Sequence, residues 1–281
     1  MSEFSERLQI TDKMASAIVD SQDYLFSWFE GSAQTGKSLT AALITALRIE
    51  NSSPQDKLFM ALGYTTSSAI NNIWYCGGFG VENYFAGNCS RGMYPGTSID
   101  CLRIKTKNGE KYLLACGANT KTSNNCWHGF KISGFCVDEI DRICQESIDE
   151  MFQRITTIQQ PFIVCTQNPN IPTHPIYKLL DTLLSNGKCN YVHWTLDDNP
   201  ALSTEKINEI KSRYDPSSVQ YKRYVLGQRV APGSTIYTLH DYSTFNTEDE
   251  YISYVIACDP GESVSATSIT LNALRRGFKR Y

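Results

Sequence analysis

The feature that most constrains this chain is a glycine-bounded turn between an apolar strand-like run and an apolar helix-like run. The turn is Gly31-Ser-Ala-Gln-Thr-Gly36-Lys37-Ser38, which matches the pattern G-x-x-x-x-G-K-[ST]. Residues 24–29 before it are apolar and aromatic, and residues 38–49 after it have helical periodicity. A strand, a tight turn and a helix in this order predict a phosphate-binding loop.

Each residue type in this turn has a chemical use. Backbone N–H groups between the two glycines converge into an anion nest, and the helix N-terminus adds its positive dipole end. Lys37 supplies a cation for the β- and γ-phosphates, and the Ser38 hydroxyl supplies a ligand for Mg²⁺. We therefore predict that a triphosphate and Mg²⁺ bind at Gly31, Ser32, Ala33, Gln34, Thr35, Gly36, Lys37 and Ser38.

A second apolar run ends in two acids. Residues 132–137 predict a buried strand, and Asp138 and Glu139 follow it directly. In open α/β sheets, ligands bind at the edge formed by the carboxyl ends of the strands. Asp138 is the expected holder of Mg²⁺, and Glu139 is the expected base that activates a water molecule. A solvated strand end is the alternative interpretation of this pair.

A polar segment follows the next apolar run, at residues 161–166. Thr166, Gln167 and Asn168 come at its end, so they are expected at the same sheet edge. An amide or hydroxyl there can contact the γ-phosphate and sense its loss. A plain strand-to-loop turn at Asn168-Pro169 explains the residues equally well.

Strands and helices alternate along most of the chain, which predicts an α/β fold with a mainly parallel sheet flanked by helices. Asn108-Gly109 predicts a hairpin turn between strands at 99–105 and 112–116. A new strand starts at 251, with residues 267–271 as its hairpin partner. Further strands are predicted at 24–29, 57–64, 132–137 and 161–166, and helices at 6–20, 38–49, 67–73, 145–158, 176–184 and 203–226.

Composition excludes several classes of protein. Hydrophobic residues at 41% and charged residues at 20% are typical of a soluble globular chain, and no apolar run is long enough to span a membrane. No secretion signal is visible at the N-terminus. A net charge of −3 excludes an all-round basic coat for nucleic acid. The densest basic group lies on the predicted hairpin, where it either contacts DNA phosphates or protects an exposed strand: Arg103, Lys105, Lys107 and Lys111.

Taken in order, these segments resemble the large subunit of tailed-bacteriophage terminase. Residues 31–38 resemble its Walker A segment, Gly129 with 135–139 its Walker B segment, and 165–169 its coupling motif. Two further segments, 197–202 and 221–228, resemble family-typical stretches after the ATPase core, and 255–261 resembles the first strand of its nuclease domain.

The resemblance implies a P-loop NTPase of the additional-strand, catalytic-glutamate type at 1–232, a linker at 233–250, and the first strands of an incomplete RNase H-like nuclease domain at 251–281. It implies a ring of subunits at the portal protein that hydrolyses ATP with Mg²⁺ and moves double-stranded DNA into a procapsid. A small terminase subunit is the implied helper, and the host bacterial cytoplasm is the implied location. The residues that it implies are Lys37 and Glu139 for catalysis, Thr166, Gln167 and Asn168 for coupling, Asp259 for a nuclease metal, and Gln9 for adenine.

Two departures from the family pattern matter. Many members carry a basic residue within the phosphate loop as an arginine finger, but Ser32 to Thr35 include none. We expect the finger to be Arg142 or Arg154 of a neighbouring subunit, although each also fits an ordinary helix surface. After Asp259 the only acid is Glu262. Because a nuclease site needs several carboxylates around its metals, we expect that this chain alone does not cut DNA.

Two other functions share the same motifs. One is a helicase- or recombination-type DNA-dependent ATPase, although residues 170–281 show no second set of ATPase motifs. The other is a non-catalytic remnant of a terminase that binds nucleotide without turnover. Phosphate release and its dependence on Lys37 and Glu139 separate these alternatives.

Overall fold

The structure is a computed structural model that describes residues 8–231 and the backbone of residues 251–259 and 268–275. The chain divides into two units, Met1–Val230 and Ala231–Tyr281, and each is described by itself. Among the described residues of the first unit, the α-helices are α1 (Asp12–Asp20), α2 (Lys37–Asn51), α3 (Thr66–Ala69), α4 (Val81–Tyr84), α5 (Gln145–Ile155), α6 (Ile176–Ser185), α7 (Thr204–Lys211) and α8 (Val219–Tyr224). A π-helix covers Ile70–Tyr75, and 3₁₀ turns cover Cys76–Gly78, Ser123–Cys126, Ile140–Arg142 and Leu196–Asp198.

One sheet of eight strands runs through the first unit in the order β3-β4-β5-β2-β6-β7-β1-β8. In that order, the six strands β5, β2, β6, β7, β1 and β8 are mutually parallel, and β4 pairs antiparallel with both β5 and β3. This confirms the mainly parallel α/β sheet. The strands are β1 (Phe26–Gly31), β2 (Leu58–Gly63), β3 (Cys89–Met93), β4 (Asp100–Thr106), β5 (Gly109–Gly117), β6 (Gly134–Val137), β7 (Phe162–Gln167) and β8 (Cys189–Trp194).

Apolar side chains cover both faces of the central strands. One face packs on α5 and α6, and the other packs on α1 and α2. Phe26 and Trp28 of β1 belong to the first cluster, whereas Phe29 belongs to the second. Strands buried on both faces have no polar alternation, which explains why they were visible in the sequence as continuous apolar runs.

Three predictions of secondary structure were incomplete. The edge strands β3 and β8 were missed, because each is partly exposed and carries polar residues among the apolar ones. The predicted helix at 203–226 is two helices, α7 and α8, with Ser203 and Ser218 as separate N-caps. Of the predicted helix at 6–20, residues 6 and 7 lie outside the described residues, residues 8–11 are not helical, and α1 begins at Asp12, where the Thr11 side chain accepts from the Met14 N–H at 3.2 Å.

The predicted hairpin is present as β4 and β5, with a small shift in its turn. Thr106 pairs with Gly109, so Lys107 and Asn108 are the two turn residues. Gly109 has a φ of +99°, a left-handed value that favours glycine at this position.

The second unit contains β9 (Tyr251–Asp259) and β10 (Ser268–Arg275), which pair antiparallel. This agrees with the predicted hairpin, and Asp259 pairs with Ser268 at its end. The assignment of this unit to an RNase H-like domain and of Asp259 to a metal stays a prediction, as do the domain bounds. The linker predicted at 233–250 lies outside the described residues.

Within the described part of the chain, no helix is both long enough and apolar enough to cross a lipid bilayer.

Candidate nucleotide-binding site

The predicted phosphate loop leaves the carboxyl end of β1 and enters α2. Gly36 is the N-cap of α2 and has a φ of +95°, so the loop ends in a left-handed turn that glycine adopts without strain. Gly31 lies so close to β8 that an added Cβ would be 1.9 Å from the Trp194 carbonyl oxygen. The Ser32 N–H donates to that same carbonyl at 3.1 Å. The edge strand β8 therefore fixes where the loop begins.

Lys37 is buried at the start of α2, and its ammonium lies inside the loop. Its Nζ donates to the Gly31 carbonyl at 2.8 Å, to the Ser32 carbonyl, and to Asn168 Oδ1 at 3.4 Å. Burial lowers the pKa of Lys37 to about 8, and the nearby carboxylates of Asp138 and Glu139 oppose that shift. The lysine is thus held among oxygen atoms and faces both predicted acids.

The two acids lie at the same sheet edge as the loop. Asp138 and Glu139 follow β6, and β7 lies between β6 and β1. Thr166 on β7 joins the acids, because its hydroxyl donates to Asp138 Oδ1 at 3.0 Å and accepts from the Glu139 N–H at 3.2 Å. Burial raises the pKa of Asp138 above its ordinary value, and the bond from Thr166 opposes that rise.

Asn168 connects the lysine to the second acid. Its Nδ2 donates to Glu139 Oε1 at 3.0 Å, and its Oδ1 accepts from Lys37 Nζ. One amide therefore contacts both the cation of the phosphate loop and the expected base. Such a side chain could transmit a change at the phosphates to the carboxylate, so these contacts are compatible with the coupling interpretation of this segment, which stays a prediction.

Gln167 does not belong to this group, although the sequence analysis placed it there. It is fully buried, and its Oε1 accepts from the Trp28 indole N–H at 3.1 Å. The reason is strand geometry, because successive side chains of β7 point to opposite faces. Thr166 and Gln167 therefore have different surroundings, and Gln167 is a core residue.

Asn72 is a site residue that sequence reasoning missed. It lies in the π-helix Ile70–Tyr75, and its Nδ2 donates to Asp138 Oδ2 at 2.6 Å. The π-turn follows α3 directly, and one extra residue per turn changes which side chains face the sheet. No sequence pattern marks such a turn, so the contact is visible only in the structure.

Glu139 has a left-handed backbone, with φ of 52° and ψ of 61°. A non-glycine residue in this region is uncommon and is often found at functional sites. Its Oε2 accepts from Arg142 Nη1 at 2.6 Å, and the Arg142 guanidinium lies 4.3 Å from the centre of the Tyr64 ring. The carboxylate is thus held between Asn168 and Arg142.

The two predicted finger candidates differ in their surroundings. The Arg142 side chain is 49% exposed and contacts Glu139 within the site. The Arg154 side chain is 20% exposed and forms an ion pair with Glu150 on its own helix at 2.6 Å. Glu150 is itself 5% exposed, so the Arg154 guanidinium neutralises a buried carboxylate.

Two adjoining cavities open beside the loop. One, of about 250 Å³, is lined by the loop residues Gln34 to Leu39 together with Cys76 and Asn199. The other, of about 540 Å³, shares Gly36 and Leu39 with the first and includes Gln9, the predicted adenine contact, and Pro200. Because the two cavities share lining residues, a nucleotide with its phosphates on the loop could extend its base from the first cavity into the second.

The segment that follows the sheet also contacts the loop. The Ser32 hydroxyl donates to the Val225 carbonyl at 3.0 Å. Gly227 has a φ of +65°, and an added Cβ there would be 2.5 Å from the Trp194 carbonyl oxygen. Arg223 Nε donates to the Pro169 carbonyl at 2.7 Å. Residues 223–227, which include most of the family-typical stretch at 221–228, therefore brace the loop and the coupling segment.

The basic residues of the hairpin are largely engaged within the chain. Arg103 forms an ion pair with Glu110, and Lys111 is buried with its ammonium donating to the Ser53 and Asp56 carbonyls. Lys107 donates to Asn51 Oδ1 at 3.3 Å. These contacts favour the structural interpretation of the group over a DNA-binding one.

A glycine-bounded loop between β1 and α2, with paired acids on a parallel strand one strand away, defines the class of P-loop nucleotide-binding folds with an additional central strand. The chain belongs to the phage terminase large subunit family, whose sequence model matches residues 24–228. No curated protein sequence matches the chain.

Solved terminase structures share the fold. The large terminase of the thermophilic bacteriophage D6E superposes with a TM-score of 0.67 at 18% identity, covering 96% of this chain and 66% of that chain. The HK97 large terminase gives 0.54 at 13% identity, covering 79% and 51%. The ATPase domain of the Thermus phage P74-26 large terminase gives 0.53 at 11% identity, covering 80% and 100%. The chain thus spans just under two thirds of the D6E protein.

Proposed function

We propose that this chain hydrolyses ATP with Mg²⁺ and that it is the motor subunit that moves double-stranded DNA into a phage procapsid. The observation that carries the proposal is the convergence of Lys37, Asp138, Glu139 and Asn168 at one sheet edge. Family membership supports it, and a D6E relative has been solved in complex with ADP and with ATP-γ-S. The parts of the proposal that concern DNA, the portal protein and the small terminase subunit rest on family membership alone.

The residues present fit a magnesium nucleotide. Ser38 and Asp138 offer a hydroxyl and a carboxylate oxygen, which are the hard ligands that Mg²⁺ prefers. When bound, Mg²⁺ neutralises charge on the β- and γ-phosphate oxygens. The buried ammonium of Lys37 gains a strong partner in an anion, because burial disfavours its charge in the free protein.

Glu139 is the proposed base for the attacking water. Asn168 orients the Glu139 carboxylate, which can then accept the proton of the water molecule. The same Asn168 amide accepts a hydrogen bond from Lys37. The Arg142 guanidinium occupies one acceptor position of Glu139 Oε2, and its withdrawal would free that position for water. We therefore favour Arg142 over Arg154 as the finger supplied to a neighbouring subunit. Withdrawing Arg154 would leave the buried Glu150 carboxylate without that cation.

Phosphate release tests the proposal. We expect Lys37→Ala and Glu139→Gln each to reduce hydrolysis by about 100-fold or more, as loss of a phosphate ligand or of a general base does. Glu209→Gln is the matched control, since Glu209 is an exposed carboxylate on α7 that pairs with the exposed side chains of Lys206 and Arg213. Hydrolysis that survives either change, or that is absent from the wild-type chain, contradicts the proposal.

DNA dependence separates the motor from its alternatives. A motor on duplex DNA shows DNA-stimulated hydrolysis without strand separation, whereas a helicase separates strands. A remnant without catalysis binds nucleotide and releases no phosphate. Duplex stimulation, a strand-displacement assay and nucleotide binding measured on the same preparation distinguish all three.

A further inference from the structure

A buried carboxylate directly precedes the phosphate loop. Glu30 is the residue before Gly31 and is completely buried. Burying a charge is unfavourable unless it is paired and hydrogen-bonded, so its partners require an explanation. They come from α6, from β8 and from the segment after α8.

Those partners are two tyrosines and an arginine. Tyr177 donates its hydroxyl to Glu30 Oε1 at 2.8 Å, and Tyr191 donates to Oε2 at 2.9 Å. Arg229 donates from Nη2 to Oε2 at 2.6 Å and from Nε to both carboxylate oxygens at 3.0 Å. The Arg229 guanidinium also lies 3.9 Å from the centre of the Tyr177 ring. We call these four residues the Glu30 cluster.

The two tyrosines differ in the other groups that they contact. The Tyr177 hydroxyl, besides donating to Glu30, accepts from the Asn170 backbone N–H at 2.9 Å. Asn170 lies two residues after Asn168, which contacts Lys37 and Glu139. Tyr191 makes the same kind of bond to Glu30 without a described bond to that segment. Of the two tyrosines, Tyr177 therefore ties Glu30 to the segment just after β7, where backbone pairing between β1 and β7 has ended.

We propose that Tyr177 is a positioning residue for nucleotide hydrolysis, which ties the Asn168 segment to the phosphate-loop strand through the Glu30 carboxylate held by Arg229. The proposal rests on the proposed ATP hydrolysis and names residues that lie outside its motifs. Tyr177 acts through the Asn170 backbone, by fixing the distance between Lys37 and the Asn168 amide.

The tyrosines provide a matched pair of variants. Tyr177→Phe and Tyr191→Phe each delete one hydroxyl bonded to Glu30 and leave the ring and Arg229 in place. We expect Tyr177→Phe to reduce kcat about fivefold or more with KM for ATP within about twofold, because loop and binding cavities remain while Asn168 is misplaced. Tyr191→Phe should keep at least about half of wild-type kcat. Both variants should melt well above the assay temperature, so that neither kcat reflects unfolded protein.

Equal kcat values for the two variants would overturn the proposal, as would a loss of kcat that simply follows the melting temperature. If the wild-type chain does not hydrolyse ATP, the proposed function fails, and hydrogen exchange with and without ATP-γ-S decides the positioning role separately. We then expect bound nucleotide to slow amide exchange at residues 166–171 in wild type and in Tyr191→Phe, and not in Tyr177→Phe. The same protection in all three proteins would refute the role of Tyr177.

Discussion

Replacing Asp141 by asparagine should stabilise the chain at neutral pH. Asp141 lies in the 3₁₀ turn after Glu139, and its Oδ2 accepts from Asn170 Nδ2 at 3.2 Å. Its Oδ1 is buried and has no hydrogen-bond partner among the described residues. Burial raises the pKa of Asp141 from its ordinary 3.8 to about 6, and the bond from Asn170 only partly opposes this rise.

The sign follows from linkage. Because the folded chain holds the Asp141 proton more tightly than the unfolded chain does, the group favours the folded state at low pH. That contribution is complete below about pH 4, falls as the pH rises, and is lost above about pH 6. At about 1.4 kcal/mol for each pKa unit, the charged form costs at most about 3 kcal/mol at neutral pH. We expect Asp141→Asn to raise the free energy of unfolding by about 1–2 kcal/mol. The amide oxygen still accepts from Asn170, whereas the amide nitrogen stays unpaired and offsets part of the gain.

Urea unfolding of wild type and Asp141→Asn from about pH 8 to pH 5 measures this gain. The difference in the free energy of unfolding should be largest at pH 8 and should fall by about 1.4 kcal/mol by pH 5, where most of the wild-type carboxylate in the folded chain is protonated. Asp181→Asn, an exposed aspartate on α6, is the control and should show little change at any pH. A gain that does not depend on pH, or a loss at pH 8, would refute the electrostatic reasoning.

Three further changes follow from contacts of the site. Gly227→Ala should lower the free energy of unfolding, measured in urea, by about 2–4 kcal/mol, because its Cβ would collide with the Trp194 carbonyl. Gly187→Ala, with a similar φ but open space around it, should lower it by only about 1 kcal/mol. Equal losses would exclude this collision as the cause. Asn72→Leu should raise the Mg²⁺ concentration for half-maximal hydrolysis by about tenfold, because Asp138 loses an orienting donor; an unchanged Mg²⁺ titration contradicts this. Arg229→Met should destabilise the chain by about 3 kcal/mol, because a buried carboxylate loses its cation; urea unfolding that shows no loss contradicts this.

The sequence predicted the side chains of the candidate site better than the contacts that hold the phosphate loop in place. Lys37, Asp138 and Glu139 were found because nucleotide chemistry demands particular side chains at a particular spacing after a strand. The loop is held largely by the carbonyls of Trp194 and Val225, and every residue has a carbonyl. No pattern of side chains can therefore reveal such contacts. Asn72 was missed for a related reason, since only the π-turn brings it to Asp138.

The burial of Glu30 could not be predicted from the residues around it in the sequence. An acid at the end of an apolar strand usually indicates a solvated strand end, yet Glu30 is buried, because Arg229 returns to it from 199 residues away in the sequence. A pair at such separation leaves no local signal, and the aromatic partners Tyr177 and Tyr191 look like ordinary core residues in the sequence. The acid was predictable as a strand terminus and its burial was not.

The contacts of Val225 and Arg229 indicate which residues the proposed nucleotide site requires. A fragment that stops after β8 would keep the sheet, the phosphate loop and both acids. It would lack the Val225 carbonyl that accepts from Ser32 and the Arg229 guanidinium that neutralises Glu30. Because an unpaired buried carboxylate beside Gly31 favours either protonation or displacement of β1, such a fragment would lose the geometry of the loop before it lost the fold of the sheet. The proposed nucleotide site therefore depends on residues as far as 229, beyond β8.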